Sequence, residues 1–311
     1  MSQIAFPLTS SAHIEKPFSY IEEATFGTMP GSPTLTPTKV ISEVRPRIDD
    51  LEMDVRTIGS HLLYGMQSGG HTYGFGITVH PFDLPFLKYA SEIPNYTTPT
   101  GTQAVSLAFA LQYKQALGTS ALNTVYQQFL GCKCNTMEIS ISSQGLVEAT
   151  MDWIAREITV PVAGALPGAS WTDFSSITSP VLSNVDGGNK PLTINSVQYA
   201  VKDFRISWNN NLIQDTFSGS GLVDALTTGA IEITGSFNTP IGQSLLLETA
   251  IHDFPQTGVT AKYNVKSGTM VINMTNFKLM TDSPEGFAQG PTVTGQHTFN
   301  FKCSAASLGT S

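Results

Sequence analysis

The sequence predicts a mainly β protein: an antiparallel β-sandwich or barrel with one or two short flanking helices and long loops. Three observations predict it. Between Gly131 and Ile158, Met137, Ile139 and Ile141 alternate with Glu138, Ser140 and Ser142, and then Val147, Ala149, Met151 and Trp153 alternate with Glu148, Thr150 and Asp152. A period of two marks a strand with one buried and one wet face. The connection through Ser143, Gln144 and Gly145 is too short for a parallel crossover, so the two runs form a hairpin. The plan then repeats: Phe204, Ile206 and Trp208 alternate with Arg205, Ser207 and Asn209, and Ile231, Ile233 and Phe237 alternate with Glu232, Thr234 and Ser236.

Taken in order, residues 1–19 show little pattern and read as an arm. Residues 20–39 contain Pro30, Pro33 and Pro37 and read as an extended loop. Leu51, Met53 and Val55 predict a strand, residues 65–72 a glycine-rich turn, and Tyr73, Phe75, Ile77 and Val79 another strand. Residues 83–92 predict a short helix, with Pro85 in its first turn. Residues 102–114 have a helix-like composition, yet Val105, Leu107, Phe109, Leu111 and Tyr113 alternate strictly, which predicts a strand. Residues 161–196 read as a long loop insertion between the two central β units. One or two helical turns are expected at 221–228 and a helix at 243–253. Strands follow at 259–265, 269–279 and 292–303. The domain reading is an arm and loop at 1–40, one β domain at 41–303, and a tail at 304–311.

Composition narrows the function classes. Of 311 residues, 13% are charged and 41% hydrophobic, and Ser and Thr number 66 against 40 Asp, Glu, Lys and Arg. The wet faces are therefore covered mainly by hydroxyls, which suits β surfaces and surfaces that end up against other subunits. The net charge of −8 and the lack of a Lys/Arg run argue against a protein that grips phosphate backbones. The first residues lack the features of a signal peptide, and no apolar run reaches the roughly 18 residues of a membrane span, so synthesis in the cytosol and no membrane insertion are expected.

No catalytic, cofactor-binding or metal site is expected. Cys132 and Cys134 share one strand face, with only Cys303 and scattered histidines elsewhere, which reads as buried thiols. Gly74-Phe75-Gly76 lacks the third glycine of a dinucleotide loop. Asp49, Asp50, Glu52 and Asp54 read as a solvated strand face with Arg45, Arg47 and Arg56 close by to neutralise it. His297 reads as a core histidine, and Asn209, Asn210 and Asn211 as a turn.

With those residues in view, the chain resembles the major tail tube proteins of long-tailed viruses of bacteria or archaea. Glu22 and Glu23 followed by Phe26-Gly27-Thr28-Met29-Pro30 are similar to the acidic, Phe/Tyr-Gly-Thr-x-Pro opening of that family. Gly131–Cys134 and the hairpin after it resemble its block of glycine, strand, glycine turn and strand. Phe204–Leu212 resembles a strand ending in an Asn-rich turn, and Thr227–Phe237 the strand that follows. The insertion at 161–196 has no counterpart in that pattern. The resemblance implies no enzyme and no cofactor. It implies a structural virion protein whose copies form rings, usually of six, stacked into a hollow tube for genome delivery. It also implies tape-measure, tail terminator and tail-tip proteins as partners, with double-stranded DNA passing through the lumen without specific binding. The arms at 1–40 and the insertion are candidates for ring-to-ring contacts. Two alternatives stay open: another virion part, such as a tail-tip or decoration protein, and a carbohydrate-binding β-sandwich, although Trp153, Trp171 and Trp208 lie apart in sequence.

Overall fold

A computed structural model describes residues 13–38, 44–55, 65–80, 84–91, 106–116, 122–142, 147–173, 192–215, 222–240, 259–265, 268–284 and 296–310. In the first half, β1 (His13–Glu22), β2 (Thr34–Pro37), β3 (Arg45–Val55) and β4 (Gly65–Val79) precede a helix, α1 (Leu84–Ser91). β5 (Leu107–Ala116), β6 (Leu122–Ile141), β7 (Glu148–Ala155), β8 (Glu157–Ile158), β9 (Val162–Ala163) and β10 (Ser170–Trp171) follow. The second half contains β11 (Leu192–Ile194), β12 (Val197–Tyr199), β13 (Phe204–Asn209), β14 (Ile213–Asp215), β15 (Ala225–Thr227) and β16 (Glu232–Pro240). It ends with β17 (Val259–Val265), β18 (Gly268–Thr275), β19 (Lys278–Pro284), β20 (Gln296–Cys303) and β21 (Ala305–Thr310).

The period-two hairpin is the centre of the fold. β6 pairs antiparallel with β7 from Lys133–Ile154 to Ser140–Glu148. Met137, Ile139, Val147, Ala149, Met151 and Trp153 are all buried, while Glu148 and Thr150 are exposed. β13 pairs with the other edge of β6, and β16, β20 and β19 extend the sheet from there. On the far side β7 pairs with β4, and β4 with β3. The result is an unbroken antiparallel run of eight strands, β3-β4-β7-β6-β13-β16-β20-β19, and among the described residues no strand pairs with the outer edge of β3 or of β19. It is a sandwich layer and not a closed barrel. β12-β11-β17-β18-β21 form the opposing five-stranded layer. Its buried residues, among them Met270, Ile272, Met274 and Leu308, join one core with Phe204, Ile206 and Trp208.

β6 belongs to two sheets because it is long and bent. Its first half pairs with β5, and β5 with β1 and then β2 and β10. The bend sits at Gly131, whose φ of 62° disfavours any residue with a Cβ; a Cβ there would lie 2.7 Å from the Arg156 Cβ. Under the bend lies an aromatic cluster. Phe18 stacks on Phe109 at 5.1 Å, Phe75 meets Phe129 edge-on at 4.9 Å, and Trp153 meets Phe109 edge-on at 5.1 Å. Such pairs add about 0.5–1.5 kcal/mol each beyond the burial of their area. A second cluster joins Phe204, Phe237, Phe277, Phe299 and Phe301. Here Gly235 interrupts the apolar alternation because the Phe301 ring and the Arg205 carbonyl occupy the space a side chain would need.

Several expectations are corrected. The stretch read as a patternless arm contains β1, whose Phe18 and Tyr20 are core residues. Within the loop at 20–39, Thr34–Pro37 pairs with β1 and buries Leu35. Residues 65–72 are strand and not turn, because β3 supplies a ladder partner. Gly69 and Gly70 lie at a bulge, where the register shifts between Asp50–His71 and Glu52–Ser68. The helical turns expected at 221–228 are replaced by β15, which pairs with β14. The insertion contains β9 and β10, pairing with β6 and β2, and residues 304–311 contain β21 rather than a free tail. The helix expected at 243–253 lies outside the described residues, as do residues 174–191 of the insertion. α1 forms as expected, and the strand expected at 102–114 is present as β5 from Leu107, its first residues 102–105 lying outside the described residues.

Candidate functional site

Two regions carry polar side chains in organised form: a buried junction at the bend of β6, and the wet face of the eight-stranded run.

The junction is built on Glu23, which is 5% exposed. Its carboxylate accepts hydrogen bonds from the Gly131 N–H (2.8 Å), the Gly27 N–H (2.9 Å) and the Ser106 hydroxyl (2.6 Å). Burial raises its pKa above the ordinary carboxylate value, opposed by those donors and by Arg156. Beside it Lys133, also buried, donates to the Leu226 carbonyl at 2.7 Å; burial lowers its pKa and Glu23 offsets part of that. The Phe26 ring lies 5.8 Å from the Lys133 ammonium and 6.0 Å from the Arg156 guanidinium, and Arg156 donates to the Phe26 carbonyl.

On the other side of Cys134 the chain is clamped by Asn210. Its amide donates to the Ala90 carbonyl at the end of α1 (2.9 Å) and to the Cys134 carbonyl (3.0 Å), and its N–H donates to the Asn135 carbonyl. Asn135 in turn accepts from the Leu212 N–H, and the Gly229 N–H donates to the Asn210 and Asn211 carbonyls. Four stretches far apart in sequence (Glu22–Pro30, Gly131–Asn135, Phe204–Leu212 and Thr227–Phe237) are thus bonded into one knot.

The wet face is organised in rows. One row across the sheet reads Thr78, Thr150, Glu138, Ser207, Thr234, Lys302 and Lys278. The next reads Gly76, Asp152, Thr136, Asn209 and Glu232. Several charges on this face are paired: Arg47 with Asp152 at 2.8 Å, Arg205 with Glu138 at 3.3 Å, and Lys302 with Glu232 at 3.8 Å, while Lys278 stands beside Lys302. Between them stand hydroxyls and amides. A surface of this kind has neither a sign to attract phosphate nor an apolar patch to hold it.

The residues singled out in the sequence fall as follows. Cys132, Cys134 and Cys303 are free and buried, with thiol pKa values pushed up by burial, to about 12 for Cys303. A buried thiol held largely in its neutral form is a poor nucleophile and a poor metal ligand. Among the described residues no group of three His, Cys, Asp or Glu is placed to hold a metal ion. Gly74 and Gly76 flank buried Phe75 within β4. Asp49 is exposed on β3, but Arg47 reaches across the sheet to Asp152 rather than neutralising its own strand. Asp50, Glu52 and Asp54 lie on β3, His297 pairs in the ladder with Thr239, and Arg56 lies outside the described residues. Trp153 and Trp208 are fully buried, which removes two of three tryptophans from any sugar-stacking surface. The junction residues Glu23, Ser106, Lys133 and Arg156 were not foreseen. Glu23 and Lys133 stood within the two stretches that resemble family motifs, but nothing in the sequence brought the four together.

Fold and site together define a structural β subunit, with its organised polar groups spent on internal bracing and on a wet, charge-balanced sheet. The chain belongs to the phage tail tube protein family, whose model matches residues 16–303. No curated protein matches the chain. Membership places the protein among virion components and structural tube subunits that associate with themselves. Among the described residues no helix is long and apolar enough to cross a membrane.

Proposed function

We propose that copies of this protein form closed rings of six that stack into the hollow tail tube through which the viral genome is delivered. The observation that carries this reading is the eight-stranded run itself. One of its faces is core, the other is a pavement of hydroxyls and ion pairs, and among the described residues no strand pairs with either edge. Open edges are a liability in a monomer and a joining device in a heterologous ring. The wet face lines the lumen. Its ion pairs balance most of its cations, so double-stranded DNA slides without a strong grip. The tape-measure protein occupies the lumen before ejection, terminator and tip proteins cap the two ends, and the subunit is made in the host cytoplasm. No step calls for catalysis.

Negative-stain electron microscopy of the purified protein at low and raised concentration tests the proposal. Rings with six-fold averages, or hollow tubes of uniform width, are expected. A chain that stays monomeric at high concentration, and also when a tail-tip complex is added as nucleus, overturns it.

A further inference from the structure

We propose that β3 of one copy pairs antiparallel with β19 of the next, with Asp49 opposite Lys278 and Ile48 opposite Leu279. The pairing rests on the tube reading and specifies its ring contact. The two strands end the eight-stranded run, so joining them continues a single sheet from copy to copy.

Face and charge select the register. On β3, Arg45 and Arg47 lie in rows with Gly76 and Gly74 on the wet side, with Asp49 next on that side, and Ile48 lies in the row of Tyr73 and Ala155 on the core side. On β19, Lys278 lies beside Lys302 on the wet side and Leu279 beside Phe301 on the core side. Met280 is the extra residue of a bulge, between Leu279–Phe301 and Thr281–Asn300. Matching wet side to wet side sets Lys278 against Asp49, Leu279 against Ile48 and Thr281 against Arg47. Slipping by one residue turns Ile48 to the wet side, since side chains alternate with period two. Slipping by two sets Lys278 against the like charge of Arg47.

Each edge lacks what the other supplies. Lys278 stands next to Lys302, a like charge in the neighbouring strand, and among the described residues only Lys302 of the two reaches a carboxylate, Glu232. Like charges directly opposite are destabilising, and an incoming Asp49 relieves the pair. Ile48 is 55% exposed at its edge although it points to the core side, and Leu279 of the neighbour extends the core to cover it. The Met280 bulge and Pro46 keep each edge from pairing at random offsets.

Cysteine cross-linking tests this. Asp49→Cys and Lys278→Cys are made in separate copies, mixed, assembled and mildly oxidised; both sites are exposed and the native thiols are buried. Six strands separate the two positions within one chain, well beyond the Cα–Cα reach of about 4–7 Å for a disulfide, so any bond joins two copies. A covalent heterodimer is expected from mixed assemblies, and a ladder up to the closed ring from the double variant. Ser283→Cys with Asp49→Cys, out of register, stays unlinked. Charge reversal gives an independent reading: Asp49→Lys and Lys278→Glu each raise the critical concentration for assembly several-fold, and mixing the two lowers it again. Tubes that form with no preference for the 49–278 bond over the 49–283 bond, and with no rescue on mixing, overturn the pairing and leave the tube reading standing. A wild-type chain that assembles under no condition removes the tube reading, and the pairing with it.

Discussion

The bend of β6 and the wet face of the sheet it crosses are built from similar polar residues, yet they tolerate change to very different degrees. At the bend, the Glu23 carboxylate and the Lys133 ammonium are buried on fixed hydrogen-bond partners, the half-buried Arg156 keeps one buried donor, Nε, without a partner among the described residues, and Gly131 has no room for a methyl group. On the face, Ser207, Thr234 and Asn300 reach water, and the ion pairs Arg205–Glu138 and Lys302–Glu232 are largely exposed. A buried unpaired group costs about 1–3 kcal/mol, whereas an exposed ion pair contributes about 0–1 kcal/mol. The contrast separates what specifies the fold from what the fold presents.

Substitutions in and around the junction sharpen that contrast most. Trp153→Ala removes the ring that meets Phe75, Phe86 and Phe109 beneath the bend, and a loss of about 3–5 kcal/mol is expected from chemical denaturation of the monomer. Gly131→Ala combines left-handed backbone strain of about 1–2 kcal/mol with overlap against Arg156 and Phe26, so a somewhat smaller loss is expected. If Gly131→Ala proves neutral in the denaturant midpoint, the bend is softer than its contacts imply.

The pH dependence of the junction runs against the usual acid sensitivity of proteins. Glu23 has a raised pKa in the folded state, so its contribution to stability is fully present below the unfolded value near 4.5 and is lost as pH rises through the folded value. Relative to Glu23→Gln, which does not titrate, the wild type is expected to lose ground as pH increases through that window. Paired denaturation curves at several pH values measure it. A wild type that gains stability over Glu23→Gln as pH rises through that window contradicts the raised pKa of Glu23.

The period-two alternation made the central hairpin legible, and β13 and β16 with it, because one-sided burial imposes that pattern directly. β1 and β15 were not legible. β1 contains Pro17 and breaks register at Lys16, so its apolar residues do not alternate cleanly, and β15 is only three residues long with one buried side chain, Leu226. The junction was illegible for a different reason. Glu23, Ser106, Lys133 and Arg156 meet only after the chain has folded, and a buried carboxylate looks like any other in the sequence. The likeness of Glu22–Pro30 and Gly131–Cys134 to family motifs marked two of its walls, and the hydrogen bonds from Glu23 to Gly27 and Gly131 give those motifs a physical reason.

The smallest stability effects are expected on the wet face, and there the comparison is tested by what does not change. Ser207→Ala and Thr234→Ala should alter monomer stability by no more than about 0.5 kcal/mol, as surface substitutions do. Thr234→Lys places a cation directly opposite Lys302 on an exposed face and should cost the monomer up to about 1 kcal/mol. In an assembled tube the same change repeats one added cation in every copy. If the face lines the lumen, assembled Thr234→Lys should retain double-stranded DNA at low salt and release it as salt rises, because each neutralised phosphate frees a counter-ion. Wild-type tubes should retain none. Retention measured equally for both proteins would mean that this face looks outward. A lumen of hydroxyls is informative only because a single lysine, cheap for the fold, is enough to spoil it.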